Sequence, residues 1–225
     1  MKGRSRRIRS PITAELVLRA HTVGLFPMAH SQDDPQLYWV DPEWRGIIPL
    51  EAFHVSRSLM KILKKDRFEI RCDTAFAEVM HSCAERTPKR TDTWINSEIL
   101  WLYEDLFWQG HAHSVETWWD GRLVGGLYGT AIGAAFFGES MFSREPEASK
   151  VALCHLVARL RIAQYRLLDT QFLTTHLARF GAVEIPRQSY LRHLAEALAH
   201  QALSFCGTLP APVSELLRHP STHRS

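Results

Sequence analysis

The stretch AHSVETWWDGRLVGGLYGTAIGAAFFGESM, residues 112–141, decides the fold. Ala112–Trp119 alternates between apolar and polar positions, as a half-buried strand does. Asp120-Gly121 is a two-residue hairpin turn signal, because both positions tolerate positive φ. Leu123–Thr130 returns as a second strand, and Gly133 marks another turn before Ala134–Phe137. Three antiparallel strands in succession are therefore expected.

The flanks extend this reading. Pro146 suits the first turn of a helix running from about residue 147 to Tyr165, and Leu167–Gln171 is a short apolar strand after it. That strand–helix–strand run closes the sheet with a βαβ-like unit. Upstream, helices are expected over 56–65, 73–84 (capped by Asp73) and 95–109, with a strand at 68–72. Downstream, helices are expected over 172–180 and 188–205. The fold class is α+β. Residues 12–23 form a helix ended by Gly24. Residues 25–50 carry Pro27, Pro35, Pro42 and Pro49 among aromatics and acids, a pattern of loop and short strand. A small N-terminal domain over 1–55, a larger domain over 56–207 and a tail over 208–225 follow.

Composition narrows the class. Of 225 residues, 45% are hydrophobic and 23% charged, which excludes a disordered, collagenous or coiled-coil chain. The net charge of +3 conceals a division. Residues 1–10 carry +5, and residues 57–71 carry +4 through Arg57, Lys61, Lys64, Lys65, Arg67 and Arg71 against two acids, leaving −6 for the rest. A basic patch on an acidic body is the footprint of a polyanion-binding face. Four cysteines without a C-x-x-C pair point to reduced thiols and a cytoplasmic protein. No apolar segment follows Arg6-Arg7 as a leader would need, and none is long enough to cross a bilayer.

Gly138-Glu139-Ser140-Met141-Phe142 lacks the last glycine of a serine nucleophile elbow. His111 and His113 share a strand face, but no third ligand stands at a recognisable spacing, so no metal is expected. The strand order resembles the acyl-CoA N-acyltransferase fold. However, the turn Ser143–Ala148 has no glycine, two acids and a proline, and is a poor cradle for pyrophosphate. What remains are polar residues at strand ends in apolar company. Glu139 follows Ala134–Phe137, while Asp169 and Gln171 stand two apart in Leu167–Phe172. Alternation puts Asp169 and Gln171 on one face. Buried charges of this kind serve either a function or an internal ion pair, here with Arg161 or Arg166.

Taken together, the segments Gly24–Pro27, His54–Ser58, Thr93–Ile95, Gly110–Glu116, Leu123–Gly129, Phe137–Ser143, Leu168–Gln171 and Gly181–Arg187 resemble the leucyl/phenylalanyl-tRNA–protein transferase family. The match runs in order from about residue 12 to 205. The resemblance implies transfer of Leu or Phe, and less well Met, from aminoacyl-tRNA to the N-terminal Arg or Lys of an acceptor protein. The product would be marked for N-end-rule degradation. It implies a small N-terminal domain and a larger acyltransferase-like one, with no cofactor, membrane or DNA. It also implies that Gln171 contacts the attacking amine, that Asp169 orients it and that Glu139 shapes the acceptor site. Leu127, Phe136 and Met141 fall on the aminoacyl pocket, and Trp94 on the residue that stacks on the terminal adenosine. Met28 stands where the family commonly has a second tryptophan. Arg57, Lys61, Lys64, Lys65 and Arg67 would contact tRNA phosphates. The alternatives are an acyl-CoA N-acyltransferase and a non-catalytic tRNA-binding module.

Overall fold

The computed structural model describes residues 12–88 and 90–218. The basic segment 1–10 and the end of the expected tail, 219–225, lie outside the described residues. The first described element is α1 (Ala14–Thr22), whose N-terminus is capped by the Thr13 hydroxyl. β1 (Phe26–Met28) and β2 (Tyr38–Val40) form a small hairpin. β3 (Trp44–Ile47) and α2 (Arg57–Lys65) follow. Next come β4 (Glu69–Cys72), α3 (Phe76–Ala84) and α4 (Ser97–Trp108). The decisive stretch forms β5 (Ala112–Trp119), β6 (Arg122–Ile132) and β7 (Ala135–Ser143). The chain closes with α5 (Ala148–Ile162), β8 (Leu167–Gln171), α6 (Thr175–Ala178), β9 (Val183–Pro186), α7 (Arg187–Leu198) and α8 (Val213–Leu216).

One seven-stranded sheet, ordered β4-β5-β6-β7-β8-β3-β9, organises the molecule. Only β7 and β8 are parallel, because α5 crosses between them, and every other neighbouring pair is antiparallel. α5, with α2 and α8, packs one face, and α3 and α4 pack the other. Alternation along β6 sends Leu127 into the α5 core and Tyr128 into the α3–α4 core. Gly125 lets α5 sit directly on β6, since a Cβ there would lie 2.5 Å from the Cβ of Ala148.

The structure departs from the sequence expectations in five places. The helix expected over 188–205 ends at Leu198. β3 belongs to the large sheet, between β8 and β9, so residues 44–47 of the expected small domain pair with the larger one. β9 was not anticipated, because the alternation Val183-Glu184-Ile185 spans only three residues before Pro186. Asp73 does not cap α3. It adopts φ +59°, and the Glu116 carboxylate accepts the Thr74 and Ala75 N–H groups instead. Over 208–218 the expected tail is folded: α8 buries Val213, and Leu217 is buried just after it.

At the start of α5 the backbone donors are already engaged. Ala148 N–H donates to Glu145 O, and Ser149 N–H donates to the Ser143 hydroxyl. Glu147 holds φ +69° in the same turn. A pyrophosphate would find few free donors there.

Gly46 is a tight constraint beside the site. It pairs with Gln171, and a Cβ on it would lie 2.6 Å from the carbonyl carbon of Phe172 and 2.8 Å from Leu173 N. Backbone cannot swing aside as a flexible side-chain end can. Gly46→Ala is therefore expected to cost about 1–3 kcal/mol in urea unfolding. A change within about 0.5 kcal/mol would show that the contact yields freely.

Candidate active site

The pairing of β7 with β8 stops at Phe137–Asp169, although both strands continue. Beyond that point Gly138–Met141 and Thr170–Phe172 separate. A cavity of about 310 Å³ opens between them, lined also by Leu127, Leu168, Met28 and Trp94.

Two backbone irregularities aim side chains into this space. Along β7, Tyr128 pairs with Ser140 and Gly129 with Gly138, so Glu139 is the extra residue of a β-bulge. At the end of β8, Gln171 takes φ +56°, a left-handed conformation that costs a side-chain-bearing residue about 1 kcal/mol or more. Strict alternation would place Gln171 with Asp169. The left-handed turn instead puts it among the lining residues with Leu168 and Thr170, while Asp169 stays behind the cavity wall.

Asp169 is held from every side. Arg45 donates Nε to Oδ1 at 2.9 Å and Nη2 to Oδ2 at 2.6 Å, the Tyr190 hydroxyl donates to Oδ2 at 2.7 Å, and the Gln171 backbone N–H donates to Oδ1 at 2.8 Å. Arg45 is itself clamped between the rings of Phe26 and Tyr190, at 4.5 and 4.6 Å, and donates to Gly24 O. Both partners are fully buried, so removing either would leave an unpaired charge at a cost of about 3–5 kcal/mol. The expected partners of Asp169 are engaged elsewhere: Arg161 bonds Leu50 O and Arg166 bonds Glu196. With its lone pairs committed, Asp169 orients Gln171 through the backbone rather than through the side-chain amide.

Glu139 sits in different surroundings. Burial pushes its pKa up to about 8, against the hydroxyls of Tyr103 and Thr130. His21, at the end of α1, stacks on Phe137 at 4.7 Å and brings Nε2 to 3.5 Å from Glu139 Oε1. Burial lowers the His21 pKa to about 4. Near neutral pH the contact therefore joins two uncharged groups. The side-chain nitrogen of Gln171 and the hydroxyl of Thr170 are buried at the cavity wall without a hydrogen-bond partner among the described residues. Such groups are expected to meet a bound molecule.

The structure thus gathers Glu139, Gln171, Leu127, Met141, Trp94 and Met28 around one cavity. Phe136 is not among the lining residues. It is wholly buried in the same core as Leu127, with Tyr165 and Phe205 edge-on against it. Arg57, Lys61, Lys64, Lys65 and Arg67 are exposed along and just after α2, and none lines the cavity. Arg67 is partly committed, pairing with Glu145 and lying over Trp119. Arg45, His21, Tyr103 and Tyr190 were not anticipated. The one available signal was Arg45 itself, a lone cation followed by Gly46-Ile47-Ile48.

An apolar pocket ending in uncharged hydrogen-bonding groups suits a group-transfer enzyme acting on an already activated substrate. The family model for leucyl/phenylalanyl-tRNA protein transferase matches residues 47–195, and the model for its N-terminal domain matches 10–43. The leucyl/phenylalanyl-tRNA–protein transferase of Paramagnetospirillum magneticum is 63% identical over 85% of this chain and 92% of its own length. That of Rhodospirillum rubrum is 58% identical over 83% and 88%. A solved structure of a functionally unknown conserved protein from Staphylococcus epidermidis aligns with a TM-score of 0.39 at 11% identity, over 79% of this chain and 66% of that one, too weak a likeness to carry weight. The chain belongs to the leucyl/phenylalanyl-tRNA–protein transferase family and is an aminoacyltransferase. Among the described residues no helix is long and apolar enough to cross a membrane.

The Glu139 environment has a consequence for stability. Its pKa rises from 4.5 to about 8 on folding, so the folded chain keeps a proton that the unfolded chain loses. Stability contributed by this group is full below pH 4.5 and falls as pH rises toward 8, by at most about 1.4 kcal/mol per pH unit. His21 works in the opposite sense, costing stability as pH falls below 6.5 toward 4. Glu139→Gln should flatten the decline between about pH 5 and 8 in urea midpoints and leave the acid side unchanged. An unaltered slope would contradict this assignment.

Proposed function

We propose that the enzyme moves Leu, Phe and, less well, Met from its tRNA to the N-terminal Arg or Lys of an acceptor protein. The observation that carries this reading is the cavity, apolar along Leu127, Met141 and Leu153 and polar where Gln171 and Glu139 close it. An apolar pocket discriminates by size and shape, about 1–3 kcal/mol per methylene, so it admits several large apolar side chains and rejects polar ones. Trp94 and Met28 stand at the same cavity, suited to flank the terminal adenine, where stacking on an aromatic ring is worth about 1–3 kcal/mol.

The chemistry asks little beyond alignment. The donor is an ester, and the nucleophile is an α-amino group with a free pKa of about 7.7–8.0, so a useful fraction is neutral at pH 7. The amine nitrogen attacks the ester carbonyl carbon, and the C–N bond forms. The C–O bond to the tRNA ribose breaks, and the proton lost by the amine goes to the departing oxygen through water or substrate. Alignment of the two reactants supplies several kcal/mol. Gln171 is a poor proton acceptor and serves as a hydrogen-bonding positioner of the amine. Glu139, neutral in the free enzyme, becomes a carboxylate when the cationic acceptor residue arrives, which favours Arg or Lys. The Asp169 charge is already balanced by Arg45, so the cation preference rests on Glu139.

The α2 patch would hold tRNA phosphates without sequence readout. N-end-rule marking, a cytoplasmic setting and an acyltransferase-like larger domain belong to the same proposal. The β5-β6-β7-α5-β8 order and the donor-poor turn before α5 support an acyltransferase-like unit that does without coenzyme A.

The test is incubation of the protein with leucyl-tRNA and a peptide beginning with Arg. A Leu–Arg product is expected, lowered at least about tenfold by Gln171→Ala. No product, or full activity in the variant, would overturn the reading. Lys64→Ala/Lys65→Ala should reduce the slope of log affinity for tRNA against log salt by about 1–2. An unchanged slope would place the tRNA elsewhere.

A further inference from the structure

Away from the cavity, Asp73, His113 and Cys206 bring one ligand atom each to within 4.8 Å of one another. Asp73 Oδ2 lies 2.8 Å from His113 Nδ1 and 3.0 Å from Cys206 Sγ. Its other oxygen accepts the Ser114 N–H at 2.7 Å, leaving Oδ2 to face the cluster. These residues come from the turn after β4, from β5 and from the segment after α7, so only the folded chain assembles them.

We propose that Asp73, His113 and Cys206 form a three-residue site for a thiophilic divalent cation of the zinc class, with water as the fourth ligand. The donor set, a thiol with an imidazole and a carboxylate, is of the type that selects Zn²⁺ over Mg²⁺ or Ca²⁺. Tetrahedral zinc, with bonds of about 2.0–2.3 Å, holds its ligand atoms about 3.3–3.8 Å apart. The separations of Asp73 Oδ2 from His113 Nδ1 and from Cys206 Sγ need open by less than about 1 Å. The hydrogen bonds now linking the donors would give way to bonds to the metal. The Ser114 N–H would orient the carboxylate from outside the ligand sphere.

The site has a structural purpose. Phe205 is buried against His113, Phe136 and Tyr165, and Arg159 donates to the carbonyls of Phe205 and Gly207. Cys206 lies between these two anchored residues. A cation there would staple the segment after α7 to the edge strand β4 and its neighbour β5. Spacing alone could not reveal this, since Cys206 lies 133 residues from Asp73. The tempting pair His111 and His113 is not the ligand pair.

The full chain, reduced with a phosphine and stripped with a chelator, is titrated with Co²⁺ alone. The expected result is saturation at one equivalent, with a thiolate-to-cobalt charge-transfer band and the intense visible bands of tetrahedral Co²⁺. Zn²⁺ should displace the cobalt and raise Tm. Cys206→Ser should abolish the bands and the Tm rise while circular dichroism confirms that the variant is folded. His111→Ala should change neither. Absence of the bands, binding only at millimolar metal, or bands that survive Cys206→Ser would overturn the site. Transfer activity plays no part in these readouts, so the result is independent of the reaction proposed above.

Discussion

The buried pair of Asp169 and Arg45 is the interaction on which the rest of the site depends. It joins β8 to β3, two strands far apart in the chain, and it fixes the backbone N–H of Gln171. The left-handed turn at Gln171 is unfavourable by itself and persists because Asp169, Gly46 and the strand pairing together over-determine it. Tyr190, Phe26 and the Gly24 carbonyl complete the enclosure of Arg45. A desolvated pair with every donor and acceptor used is rigid, which suits a site whose task is alignment. Gln171 is thus placed by a charge pair that never touches the cavity.

The two carboxylates divide the work through their surroundings. Asp169 is balanced by a guanidinium and structural. Glu139, 2% exposed at its side chain and with no cation bonded to it among the described residues, carries a proton near neutral pH. A β-bulge places one and a parallel strand end places the other. The cavity lies where β7 and β8 part company, the point at which a sheet leaves room for a ligand without surrendering its core.

Much of the fold was legible because local signals agreed. The Asp120-Gly121 turn, the alternation along Ala112–Trp119 and the helix before Leu167 all specify short-range structure. The candidate lining residues Leu127, Met141, Trp94, Met28, Glu139 and Gln171 were legible too, through resemblance and through polar residues standing in apolar runs. What was hidden depends on contacts distant in sequence. The place of β3 in the large sheet, the pairing of Arg45 with Asp169 across 124 positions and the folding-back of residues 203–217 leave no periodic trace. Phe136 misled because matching a motif does not settle which way a strand residue faces. Asp73 misled because it resembles a helix cap, while its carboxylate serves His113, Ser114 and Cys206.

The most direct measurement is a crystal structure with a puromycin-like aminoacyl-adenosine analogue. The analogue's apolar side chain is expected among Leu127, Met141 and Leu153, its adenine between Met28 and Trp94, and its carbonyl beside the Gln171 amide. An analogue bound elsewhere, or a carbonyl facing away from Gln171, would contradict the account.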